Sequence, residues 1–351
     1  MNGSSFSSPA ASVPAPTRAN LSPAPKPSVL TAMSFGKVTA LLATALLFTG
    51  CQSEDGPYPS RELKLIVQAS PGGLSDSVSR IMASLSEADL GVPIVCENKP
   101  GASGALAFSY VTRRLPDGYT IGHAPVEIAM VRSLGYADVG PEDMDLICLV
   151  QKSPPVLVVR SDAPWKSFDE FLSAARERPG GFIMANSGTG SIWHFNTLLM
   201  EKYADFRVTH VPYSGSSGSL ASLLGGHVDA VISGAAEAVA NVQAGRLRPL
   251  IVLAENRSQL YPDVPTTHEL GYPFGAPAWG GFFGPKGIPQ DVMTQLQNAF
   301  RKAYDSPEWI KLCKERGMEP VFLNSEEFRE FALEQAKFFS KEIPELLTMS
   351  R

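Results

Sequence analysis

The stretch LKLIVQASPGGLSD (residues 63–76) runs from an apolar strand-like segment through a glycine turn into a helix-like segment, and NSGTGS (residues 186–191) repeats that arrangement in the second half of the chain. A glycine turn at a helix start exposes backbone N–H groups that have no intrahelical partner. The helix dipole makes the same place favourable for an anion. Two such turns on separate halves describe a cleft that grips an acid from both sides.

Working outward from the first turn, strands and helices alternate. Residues 63–68 read as a buried strand, 76–88 as a helix with Val78, Ile81, Met82 and Leu85 on one face, 92–97 as a second strand, 102–115 as a second helix and 120–123 as a third strand. This rhythm predicts a parallel sheet covered on both faces. Residues 145–160 (DLICLVQKSPPVLVVR) break it, because Ser153-Pro154-Pro155 separates two apolar runs and proline cannot donate into a sheet ladder. The segment reads as a crossing between domains. The rhythm then restarts with helix 167–178, strand 182–186, helix 192–202, strand 207–211, helix 218–224, strand 228–232 and helix 235–244. Residues 250–253 read as the strand crossing back, and 290–304, 307–316 and 325–340 as helices packed on the outside. The expected fold is α/β, with two Rossmann-like lobes joined by two crossings: residues 61–155 with 254–351 form lobe 1, and 156–253 form lobe 2. Ligands of open α/β sheets bind beyond the carboxyl ends of the strands, where both glycine turns fall.

The chain has 351 residues, 44% of them hydrophobic and 19% charged, as in a soluble globular protein. Its net charge is −5; residues 1–50 hold three basic residues (Arg18, Lys26, Lys37) and no acidic one, so the remainder carries 27 basic against 35 acidic residues. That balance argues against a nucleic-acid partner. It leaves room for a local anion site built of backbone N–H groups. Residues 1–32, rich in Ser, Pro and Ala, are expected to be disordered. From Met33, a short positive start at Lys37 and the apolar run 38–48 have the form of a secretory signal. The run ends in FTGC, which resembles a bacterial lipobox with Cys51 as the lipidated residue. On this reading translation starts at Met33, residues 51–60 are a tether, and the protein is extracytoplasmic, anchored to a membrane through Cys51.

Cys96, Cys148 and Cys313 are far apart and form no C-x-x-C or Cys/His pair, which argues against zinc. Cys96 and Cys148 lie in apolar runs as buried thiols, and a disulfide between two of the three stays open. The five histidines (His123, His194, His210, His227, His268) include no pair spaced for a helical metal site, and no dinucleotide, P-loop or other cofactor motif is complete. Within the first turn, Gly72 and Gly73 permit close approach of a ligand, Ser70 and Ser75 offer hydroxyls, and Asp76 is either a helix cap or a ligand partner. Ser187, Thr189 and Ser191 add hydroxyls in the second turn. VPYSGSSGSL (residues 211–220) makes a third strand-to-helix turn, with Tyr213 as a wall. For each turn, ordinary structural turn chemistry is the competing account. A Ser187–His194–Asp229 hydrolase is conceivable, but the G-x-S-x-G elbow is missing.

Taken together, PGGLSD (71–76), ENKPGASG (97–104), LPDGYT (115–120), NSGTGSIWHF (186–195), VPYSGSSGSLASLLGGHVDAVIS (211–233), LYPDVPTTHELGYP (260–273) and AWGGFFGPKGIP (278–289) resemble, in order and spacing, the receptors of tripartite tricarboxylate transporters, also called Bug proteins. The resemblance covers residues 63–347. It implies a two-lobed periplasmic-binding-protein fold of type II that closes on a small organic carboxylate, a monomer that delivers its ligand to the membrane subunits of a tripartite transporter, and no enzymatic activity. Carried over residue by residue, the ligand loops are Ser70, Pro71, Gly72, Gly73 and Asp76 in the first turn, Ser187, Gly188, Thr189, Gly190, Ser191 and His194 in the second, and Tyr213 and Ser214 in the third. ENKPGASG and LPDGYT read as structural turns. Members of the family usually carry Pro-Phe or Pro-Tyr where Gln68-Ala69 stands here, and many carry Pro or Ala at Gly218. The first departure points to a wider or more polar pocket, for which Trp193 is a compensating wall. A sensor that docks on a membrane signalling protein is the alternative reading; an exported hydrolase is the third.

Overall fold

The computed structural model describes residues 56–349; Met33, the apolar run 38–48 and Cys51 lie outside the described residues. In chain order the elements are β1 (Leu63–Val67), α1 (Leu74–Leu90), β2 (Ile94–Asn98), α2 (Ala105–Thr112), β3 (Thr120–Pro125), β4 (Met144–Ser153), β5 (Pro155–Arg160), α3 (Phe168–Glu177), β6 (Ile183–Asn186) and α4 (Ile192–Ala204). There follow β7 (Thr209–Pro212), α5 (Ser216–Leu224), β8 (Ala230–Gly234), α6 (Ala235–Gln243), β9 (Leu247–Val252), β10 (Ala278–Pro285), α7 (Gln290–Tyr304), α8 (Pro307–Arg316), β11 (Glu319–Leu323) and α9 (Ser325–Met349). They form two lobes, one on the sheet β11-β4-β10-β3-β1-β2 and one on the sheet β7-β6-β8-β5-β9.

Both sheets are mixed, which corrects the expectation of parallel sheets. In the first, β1 runs parallel to β2 and β3, but β10 enters antiparallel between β3 and β4. In the second, β6 runs parallel to β7 and β8, while β5 lies antiparallel between β8 and β9. The cause is the crossings. β4 ends at Ser153 and β5 starts at Pro155, so the chain enters the second sheet at the end where its parallel strands finish and has to run back along them. β9 likewise stays in the second sheet beside β5, and residues 253–277 carry the chain back to β10. Asn196 fixes this return, with its Nδ2 donating to Ala276 O at 2.9 Å and its Oδ1 accepting from Ala276 N at 3.0 Å.

Strand β10 was not legible as a strand because AWGGFFGP has neither alternation nor β-branched residues. Its glycines answer to close packing: a Cβ on Gly281 would lie 2.2 Å from Cys148 O. Between them Phe282 stacks on Phe300 at 4.2 Å and Phe283 meets Phe108 edge-on at 6.1 Å. Helix α9 runs past residue 340 and through Pro344 because Ile343 and Leu346 are buried. It also reaches the second lobe, with Phe339 against Phe195 at 5.0 Å and Lys202 Nζ 3.2 Å from Glu342 Oε2, so one hydrophobic core is continuous through both lobes. Cys96, Cys148 and Cys313 are free thiols; burial pushes that of Cys313 up to about 12.

Candidate ligand-binding cleft

Between the sheets lies a cleft of about 570 Å³, and all three strand-to-helix turns open onto it. In the first turn Ser70, Pro71 and Gly73 line the cleft, and Gly72 and Asp76 do not. Gly72, at φ +84°, turns its N–H inward to donate to Asp76 Oδ2 at 2.9 Å. The buried Asp76 carboxylate also accepts from Arg80 Nε at 3.0 Å and Asn98 Nδ2 at 2.9 Å. Burial pushes this carboxyl up, but Arg80, the Gly72 N–H and Asn98 outweigh it and hold the group below the usual range. Asp76 therefore braces the turn from behind. α1 begins at Gly73, which among the described residues has no side-chain cap, and its first turn faces the cleft through Leu74 and Ser75.

In the second turn Ser187, Gly188, Thr189 and Ser191 line the cleft, while Gly190 and His194 lie behind it. Ser191 caps α4 by accepting from His194 N at 3.3 Å, and His194 Nδ1 accepts from Gly190 N at 3.2 Å. The His194 ring is buried edge-on against His210 at 5.0 Å; burial, helped by His210, pushes its pKa down to about 4. It is thus a neutral acceptor that supports the turn. The same turn is tied to the other lobe: Thr189 O accepts from Tyr136 Oη and Ser103 Oγ, each at 3.2 Å, and Ile192 N donates to Glu127 Oε1 at 3.2 Å. Asp229 Oδ2 accepts from Ile183 N at 2.8 Å instead of approaching His194, so the Ser187–His194–Asp229 arrangement is not formed. In the third turn Tyr213 and Ser214 line the cleft, the Tyr213 hydroxyl is held 2.6 Å from Ser222 Oγ, and α5 starts at Gly215 without a side-chain cap.

Two sets of cleft residues were missed from sequence. ENKPGASG is a wall of the cleft through Pro100–Gly104, not a remote structural turn; positive φ at Ala102 and Ser103 is what brings the Ser103 hydroxyl across to Thr189. A non-glycine residue in that region leaves no composition signal. LPDGYT does lie elsewhere, with Gly118 O accepting from Tyr58 Oη at 3.0 Å. The second set forms the cleft floor: His123 on β3, Gln151 on β4, and the carboxyls of Glu127 and Glu237. Burial pushes both glutamates up, and the neighbouring Glu127 raises Glu237 further. These residues are scattered singly through apolar runs, which is why no motif announced them. Gln68 and Trp193 also line the cleft, with Trp193 Nε1 donating to Ser216 Oγ at 3.0 Å. Among the described residues no group of three His, Cys, Asp or Glu side chains is placed to hold a metal ion.

Residues 78–346 match the model of a family described as the tripartite tricarboxylate transporter family receptor. BugT of Bordetella pertussis is 30% identical over 310 residues, covering 85% of this chain and 94% of that protein. MatC of Rhodopseudomonas palustris, solved with bound malate, is similar in structure with a TM-score of 0.75 at 26% identity, covering 82% of this chain and 100% of that one. A second R. palustris protein, solved with adipate, has a TM-score of 0.76 at 27% identity, covering 82% of this chain and 98% of that one.

Proposed function

The chain belongs to the tripartite tricarboxylate transporter receptor family, whose members are periplasmic solute-binding proteins and not enzymes, and on that premise we propose that its cleft captures a small organic carboxylate and presents it to the membrane subunits of a tripartite transporter. The observation that carries the reading is the pair of helices, α1 and α5, that start uncapped at Gly73 and Gly215 from opposite lobes of one cleft. A carboxylate between them completes the hydrogen bonding of both first turns and meets the positive end of both dipoles. Ser70, Ser187, Thr189, Ser191 and Ser214 offer hydroxyls to the same oxygens. The solved relatives that hold malate and adipate are consistent with an acid of this size. Anchoring through Cys51 would keep the receptor near its transporter.

A thermal-shift screen over mono-, di- and tricarboxylates tests the reading. A true ligand at 100 times its Kd adds about 2.7 kcal/mol of apparent stability. Gly72→Val puts a branched side chain at φ +84° on the ligand-facing turn and is expected to abolish the shift. Ser187→Ala is expected to weaken binding roughly tenfold, since a hydrogen bond to a charged oxygen is worth about 1.5–3 kcal/mol. A full-strength response in both variants would move the site elsewhere. For the anchor, Cys51→Ser is expected to shift the protein from the membrane to the soluble fraction.

A further inference from the structure

The floor of the cleft is chemically unlike its mouth. Gly280 of β10 lies between β3 and β4, and its missing side chain makes room there: a Cβ would come within 2.7 Å of Gln151 Nε2 and 3.0 Å of His123 Nε2. Both side chains are buried, 3% exposed for Gln151 and 1% for His123, and both line the cleft. Neither His123 Nε2 nor Gln151 Oε1 has a hydrogen-bond partner among the described residues. Such atoms are costly to leave unpaired, so they mark where a ligand group belongs.

Gln68 decides which kind of group. Its Nε2 donates to Ser75 Oγ at 2.9 Å, and its Oε1 lies 3.1 Å from His123 Nδ1. A carbonyl oxygen only accepts, so Nδ1 carries the proton. In the neutral ring Nε2 is then left as an acceptor, beside Gly280. Glu127, from the β3 side, and Glu237, from the start of α6, face the same cavity. The mouth therefore offers donors, and the floor adds two unpaired acceptors, His123 Nε2 and Gln151 Oε1.

Resting on the carboxylate reading of the mouth, we propose that the floor is a second subsite that accepts hydrogen bonds from a hydroxyl or ammonium group at the far end of the ligand, through His123 Nε2 and Gln151 Oε1, and that it rejects a second carboxylate. The ligand is then an acid with a donor-bearing tail. A bare dicarboxylate would set its far oxygens against the His123 lone pair and the Gln151 amide oxygen, beside two acidic side chains.

Calorimetric titration of the purified protein tests this with acids of three to six carbons, each taken as the unsubstituted acid, the ω-hydroxy acid, the ω-amino acid and the α,ω-dicarboxylate. At the best-fitting length the hydroxy or amino acid is expected to bind about tenfold tighter, or more, than both the unsubstituted acid and the dicarboxylate; comparing those two arms shows whether the tail is a hydroxyl or an ammonium. His123→Leu is expected to erase that preference to within about threefold. Gln151→Leu gives the same readout at a second position if His123→Leu does not fold. Acids that bind without preference, a dicarboxylate that binds tightest, or a preference that survives both variants would overturn the subsite alone. If no acid binds at any length, and Ser187→Ala changes nothing, the carboxylate reading of the mouth falls with it.

Discussion

In the first glycine turn, α1 starts at Gly73 with no side chain over its N-terminus and an aspartate bracing the turn from behind; in the second, α4 starts under its own serine and with Glu127 of the other lobe on Ile192 N–H. The two turns share a glycine-and-hydroxyl vocabulary but are wired for different work. The first leaves the N–H groups at the start of α1 without a side-chain cap. The second has already placed several of its backbone groups against protein, and three of those bonds cross to the opposite lobe. A helix start is a good anion site only while its N–H groups are unclaimed, and that depends on a capping residue one or two positions from the glycines. α5, uncapped at Gly215, sides with the first turn. On the proposed reading, the backbone N–H groups of the grip come from the first and third turns, while the second adds hydroxyls such as that of Ser187 and ties the lobes together.

The largest effect that separates the two turns is expected at Asp76. Asp76→Ala removes the acceptor for Gly72 N–H, Arg80 and Asn98 together. Loss of these charge-assisted bonds, with Gly72 N–H left without its acceptor and Asn98 Nδ2 keeping only its bond to Ala69 O, is expected to cost about 2–4 kcal/mol in urea unfolding and to weaken ligand binding in parallel. A cost below about 1 kcal/mol, within the range of ordinary surface changes, would show that the turn holds its shape without the brace.

The second turn is expected to respond to pH. His194 titrates at about 4 and His123 at about 3 in the folded protein, against about 6.5 in the unfolded chain. Below pH 6.5 the unfolded state takes up protons that the folded state refuses, so stability is complete above 6.5 and falls as the pH drops toward 4. Each histidine contributes about a tenfold shift in the folding equilibrium per pH unit across that window. His194→Gln, which keeps an acceptor for Gly190 N–H, is expected to reduce that slope. An unchanged slope would mean that His194 is not held neutral. Asp76 acts lower still: its depressed carboxyl contributes stability above the ordinary aspartate range that is lost as acid protonates it.

These contrasts also mark what could be read from the sequence. The alternation of runs was enough for two α/β lobes, and the Ser153-Pro154-Pro155 break for the first crossing, because both are local signals. Helices α7 and α8 were read to the residue, since each begins beside a proline and carries a clear apolar face. β10 was hidden because its glycines are set by Cys148 and Gln151 on a strand more than a hundred residues away. The same holds for the site. Glycine turns are written in consecutive letters, so the mouth was visible. Whether Asp76 points at a ligand or behind the turn depends on Asn98 and Arg80, and whether His123 is a core residue or a floor acceptor depends on Gln68, Gln151 and Gly280. Such pairings are made by the sheet register, which no short motif records.

A capping change is expected to have a smaller effect. Ser191→Ala removes the acceptor for His194 N–H at the start of α4 and is expected to cost about 1 kcal/mol in thermal or urea unfolding. Ser191→Gly is expected to recover most of that loss, because glycine is tolerated at this position. Equal losses in the two variants would mean that the hydroxyl is not acting as a cap.

The smallest thermodynamic effect is expected at Tyr136, where the distinction between grip and contact is sharpest. Its hydroxyl donates to Thr189 O from the other lobe, and the ring is partly exposed. Tyr136→Phe keeps the ring beside Gly190 and removes only that bond, so global stability is expected to change by no more than about 0.5–1 kcal/mol. If the second turn joins the lobes, the loss appears instead in kinetics: the ligand dissociates a few-fold faster in stopped-flow displacement, because release requires the lobes to part. Ser103→Ala, which removes the companion bond to the same carbonyl, is expected to act in the same direction, and the double variant to exceed either change alone. Unchanged release in the double variant would mean that these bonds do not hold the lobes together, and would remove the difference between the two turns.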